Sequence, residues 1–62
     1  MFTCYVFSTT HLHLATIVGA DKEAVQKMAK EHYPQLGLFW ANELRPETFE
    51  LVDGVDYLVS DV

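Results

Sequence analysis

Cysteine is almost missing from this chain. Cys4 is the one thiol among 62 residues, so no disulfide can close within the chain, and the staple common in small secreted domains is excluded. A lone thiol fits a reducing compartment. Basic side chains are scarce too, with four Lys and Arg against nine Asp and Glu and a formal net charge of −5. Such a balance repels phosphate and argues against direct nucleic-acid binding. No apolar run approaches the ~20 residues of a membrane span. The N-terminus lacks a basic region, and its apolar residues are interrupted by Ser8, Thr9, Thr10, His11 and His13, unlike a secretory leader. A soluble, cytoplasmic protein of the producing or host cell is expected, without membrane association. No catalytic or cofactor motif is present, so neither an enzymatic activity nor a cofactor is expected.

What the chain does have is apolar mass. Half of it is hydrophobic, with one Trp, three Tyr and four Phe. A chain this short buries only about 60% of the surface its unfolded form exposes. Small domains therefore need a staple or a second surface. With no disulfide available, either the core is tightly packed or a partner covers part of the apolar surface.

The clearest local pattern is Asp21 to Tyr33, DKEAVQKMAKEHY. Ala24, Val25, Met28, Ala29 and His32 recur at helical spacing on one side, and Lys22, Glu23, Gln26, Lys27, Lys30 and Glu31 fall on the other. Asp21 is suited to cap the helix, because its carboxylate accepts from the free N–H groups of the first turn. Pro34 stops the helix after Tyr33. Residues 2–8 (FTCYVFS) and 12–18 (LHLATIV) read as strands joined through Thr9-Thr10 in a hairpin of uncertain register. Residues 38–44 (LFWANEL) alternate as a third strand, and 55–59 (VDYLV) form a fourth. Between them PETFELV reads as a helical turn or irregular loop, with a short strand turning at Asp53-Gly54 as the alternative. The expected class is α+β: a small antiparallel sheet of three or four strands, one amphipathic helix on one face, order β-β-α-β-β, in one domain spanning 1–62. The uncharged first two strands imply that the other sheet face or an edge meets another protein or a second copy.

Charge is unevenly placed. Residues 1–20 contain no Asp, Glu, Lys or Arg, and the helix is neutral. After Tyr33, Glu43, Glu47, Glu50, Asp53, Asp56 and Asp61 stand against Arg45 alone. A surface of that kind suits a basic protein partner.

Among residues with chemistry, Cys4, His11 and His13 are the candidates for a metal. Two histidines two apart on a strand share a face, and Cys with two His is an acceptable partial zinc set. A Thr9-Thr10 loop places Val6 opposite His13 and Cys4 opposite Ala15, diagonal to His13. The plainer alternative is a buried thiol and two histidines at a hairpin end. A Cys–His nucleophile is disfavoured, because an apolar strand raises a thiol's pKa. Asp53 and Asp56 supply too few oxygens for calcium and read as a solvated turn. His32 reads as a core-edge histidine. Phe39 and Trp40 are the candidate binding anchors, joined by Phe49. Adjacent strand residues point to opposite faces, so both are buried only if both faces are covered. The expected partner-binding set is Phe39, Trp40, Glu43, Glu47, Phe49, Glu50, Asp53 and Asp56.

The segment order, the GADKEAVQKMAKEHYP passage from strand to helix, the small size and the acidic C-terminal third together resemble a known kind of protein. These are the very small αβ proteins that bacteriophages encode to bind and disable host enzymes, such as the RNA polymerase inhibitor of phage T7. The resemblance is one of architecture and carries over no functional residue. It implies a non-enzymatic inhibitor or adaptor of the host-takeover or anti-defence type, whose acids compete with phosphates if the target binds nucleic acid. The alternative is a self-associating structural domain, a homodimer through the uncharged N-terminal hairpin. A weaker alternative is a metal-binding domain through Cys4, His11 and His13.

Overall fold

The computed structural model describes residues 1–44 and 50–61. Its elements are β1 (Phe2–Phe7), β2 (His13–Gly19), α1 (Lys22–His32), β3 (Gly37–Trp40), a single 3-10 turn (Ala41–Glu43) and β4 (Asp56–Val59). The expected third strand is thus cut short, and its second half closes into the 3-10 turn, where Glu43 Oε1 accepts from the Trp40 N–H at 3.2 Å.

The four strands form one sheet in the order β3-β1-β2-β4. The α+β class with one helix holds, but the sheet is mixed where an all-antiparallel one was expected. β1 runs antiparallel to both β2 and β3, and β4 runs parallel to β2. The reason lies in the connections. A hairpin joins β1 to β2, and α1 then carries the chain past β1 so that β3 enters on its far side. β4 sits on the opposite edge and begins beside Ala15, at the hairpin end of the sheet. A strand reached from the far edge and entered at that end has to run parallel to β2, which no hairpin turn could arrange. Asp53-Gly54 therefore leads into a parallel strand and is not the turn of a hairpin. Gly54 sits at φ 86° in open space, a backbone conformation where glycine carries no Cβ penalty.

The hairpin also departs from the expected register. Ser8 organises a longer loop. Its N–H donates to Leu12 O at 2.9 Å, its carbonyl accepts from the His11 N–H at 3.0 Å, and its hydroxyl accepts from the N–H groups of Thr10 and Leu12. His11 takes a left-handed φ of 66°. The ladder then shifts between Val6 and Phe7, pairing Val6 with Ala15 and Phe7 with His13. An extra residue at such a bulge moves every following side chain to the other face.

The consequence is a two-sided hairpin. Cys4, Val6, Ala15 and Ile17 point toward α1 and form a buried cluster with Val25 and Ala29. Met28, Tyr33, Leu36, Leu38, Trp40 and Leu58 pack against this cluster from around it. A fully buried Val or Ile contributes roughly 1.5–3 kcal/mol through apolar area removed from water. Asp21 caps α1, with its Oδ1 accepting from the Glu23 N–H at 3.3 Å, and the Tyr33 N–H closes the other end on Ala29 O. His32 is exposed rather than at the core edge. Gly19 lets the start of α1 and the end of β4 come close. A Cβ there would lie 2.8 Å from both Val25 Cγ2 and Ser60 Cβ.

Candidate interaction surface

On the sheet face turned away from α1, the inner strands are not open to solvent. Phe7 is 1% exposed, Val18 5%, His13 6% and Thr16 9%. His13 is the tie at this place. Its Nδ1 accepts from the Val52 backbone N–H at 3.1 Å, so the ring proton resides on Nε2. Nε2 in turn lies 3.0 Å from both Ala15 O and Thr16 Oγ1. The ring stacks edgewise on Tyr5 and tilted on Phe7. Both nitrogens are occupied by the fold, and the imidazole fastens the segment before β4 to the sheet.

The three metal candidates do not converge. Cys4 is buried on the helix side, opposite Ile17 instead of Ala15, whereas His13 lies on the other side. His11 is exposed at the loop tip. Among the described residues no group of three His, Cys, Asp or Glu side chains comes together. Burial pushes the Cys4 thiol pKa up, and the nearby Glu43 carboxylate adds to this against a lowering backbone hydrogen bond from Phe39. A thiol so placed is a weak nucleophile.

The proposed anchors are turned inward. Phe39 is half-buried, its ring 5.8 Å from that of Phe7 in a T-shaped pair. Trp40, on the opposite face, is half-buried against the core, with Phe2 at its edge (6.2 Å) and Lys22 Nζ 5.1 Å above its ring. Each aromatic is partly covered by another ring, Phe39 by Phe7 on one face and Trp40 by Phe2 on the other. A hollow of about 220 Å³ beside Phe2, Lys22 and Trp40 has Lys22 as the one ionisable side chain among the described residues of its lining.

The acids are distributed as follows. Glu43 is engaged by the Trp40 N–H, Glu50 and Asp53 are exposed, and Asp56 accepts from the Tyr33 hydroxyl at 3.0 Å. Desolvation raises the Tyr33 pKa, with the Asp56 hydrogen bond and charge adding to the rise. Glu47 and Phe49 lie outside the described residues.

The apolar groups that do reach solvent in the last third were not among the expected anchors. Tyr57 is 64% exposed, Val59 57%, Val52 50% and Leu51 47%. β4 alternates: Leu58 packs toward the core, and Tyr57 and Val59 face away from it. The signal that could have found them is the crowd of acids around VDYLV, since charge flanking a short apolar strand is characteristic of a sheet edge.

By class, this is a small α+β domain with a mixed four-stranded sheet and an acidic edge. No protein-family model, curated protein or solved structure matches the chain. No helix among the described residues is long and apolar enough to cross a membrane.

Proposed function

We propose that this chain is a non-enzymatic protein-binding domain, an inhibitor or adaptor that docks on a basic surface of a partner protein. One observation carries the reading. Residues 50–61 hold Glu50, Asp53, Asp56 and Asp61 with no Lys or Arg, interleaved with exposed Leu51, Val52, Tyr57 and Val59. Acids of one sign steer a basic partner and set its register, while apolar groups between them supply the area that is desolvated on contact. A host-directed inhibitor of the phage kind fits this chemistry. The missing charge in the N-terminal hairpin, which favoured a homodimer, is accounted for within the chain: β1 and β2 are the inner strands of the sheet.

The test is an affinity capture from a nuclease-treated host lysate, eluted in salt steps, run beside a Glu50→Lys, Asp53→Lys, Asp61→Lys triple variant. A basic partner in stoichiometric amount, released by salt and lost with the variant, is the expected result. A partner held equally at low and high ionic strength, or captured equally by the variant, contradicts the reading.

A further inference from the structure

The two edges of the sheet are not equivalent, and the difference points to how a partner binds. Strand backbones alternate, so that the N–H and C=O of successive residues point to opposite sides. The Ser60 N–H donates to Val18 O at 2.7 Å. By that parity Leu58 and Asp56 also turn their backbone groups toward β2. Tyr57 and Val59 turn theirs outward, where no strand pairs with them among the described residues. The edge at β3 is different. Its outward Trp40 N–H is already taken by the Glu43 carboxylate, and the strand ends at once in a 3-10 turn.

We infer that the outer edge of β4 accepts an extended, basic segment of a partner protein as a fifth strand, hydrogen-bonded to the backbone of Tyr57 and Val59. This rests on the protein-docking reading above and specifies its mode. Main-chain bonds supply affinity in strand addition, and alternate side chains supply selection. Here the selection comes from two features. Tyr57 and Val59 offer an apolar stripe on one face of the edge. Asp53, Asp56 and Asp61 surround the strand with negative charge and no compensating cation in 50–61. A segment alternating Lys or Arg with β-branched residues meets both. Charge also selects against a second copy as the added strand, because β4 beside β4 brings two sets of these acids together.

The probe is an end-capped, extended peptide of alternating lysine and valine, added to the isotope-labelled protein. Amide hydrogen exchange is followed residue by residue. The Tyr57 and Val59 amides are expected to slow roughly tenfold or more at saturation, since a bonded amide exchanges only on opening. The same peptide N-methylated at alternate residues keeps its charge but lacks donors, and is expected to give no such slowing. Val59→Pro removes one outward N–H without touching the bonds to β2. If it folds by circular dichroism, it is expected to lose the Tyr57 protection. Equal protection by the N-methylated peptide, protection centred on β3, or no protection at all overturns the inference. So does slowing that depends on protein concentration without peptide, which identifies a second copy as the occupant. A salt-sensitive basic partner captured from lysate alongside any of these outcomes leaves the docking reading standing and removes only the mode.

Discussion

The first nineteen residues and the last dozen described ones treat apolar side chains in opposite ways. β1 and β2 contain no charge, and Cys4, Val6, Phe7, Ala15, Ile17 and Val18 are at most 5% exposed. Residues 50–61 are dense in acid and leave Leu51, Val52, Tyr57 and Val59 about half exposed or more. Both segments contribute strands to the same sheet, so strand formation alone does not separate them. Position in the sheet does. Inner strands have neighbours on both sides and cover on both faces, so charge there would be buried at high cost. An edge strand has one neighbour, and acids around it keep copies of the protein from pairing edge to edge. The comparison places the buried core at the start of the chain and leaves the exposed apolar groups at its end, where the proposed docking surface lies.

The largest effect that would break this division is expected at Ile17. Ile17→Ala leaves a cavity in the middle of the helix-facing cluster and should lower unfolding free energy by about 2–5 kcal/mol in chemical denaturation. A loss no larger than that of a surface change would mean the inner pair is not the core. Next comes the point where the two regions touch. Gly19→Ala pushes a methyl against Val25 and Ser60, and overpacking of that kind costs about 1–3 kcal/mol. Loss of the Ser60 to Val18 bond, seen as faster exchange of the Ser60 amide, would locate the damage at the junction. The smallest effect sharpens the contrast from the other side. Tyr57→Ser should change stability by no more than about 0.5 kcal/mol, because the ring is mostly in solvent. A clear fall in melting temperature would mean that Tyr57 is structural.

How far the sequence disclosed this arrangement depends on how local each feature is. The helix was legible, because a cap at Asp21 and a stop at Pro34 are decided within a turn of the chain. The hairpin was legible as two strands but not in register. His11 in a left-handed turn and an extra residue before Ala15 leave no Asn-Gly or Asp-Gly signature. The direction of β4 was illegible, since it follows from which edge the connection reaches. The same limit applied to the site. Acids can be counted in a string, so the charge of Glu50, Asp53 and Asp56 was legible before any fold. Exposure of Tyr57 and inward packing of Phe39 and Trp40 depend on strand order, which no short window contains. Phe39 and Trp40 were expected as anchors because aromatics dominate interface hot spots, and the fold half-buries both.

The parallel pairing of β4 has a consequence for the order in which the chain assembles. β1 and β2 meet across a short loop, so their pairing carries little chain-closure entropy and can form early. β4 can join only after the chain has emerged past Asp56, since Ala15 pairs with it across some forty residues. The hairpin must therefore wait with the outer edge of β2 unpaired, exposing the backbone of Thr16 and Val18 during synthesis. The strand that arrives last to close that gap then presents a new edge of its own, now ringed with acid. A nascent vulnerability is thus replaced by a guarded one.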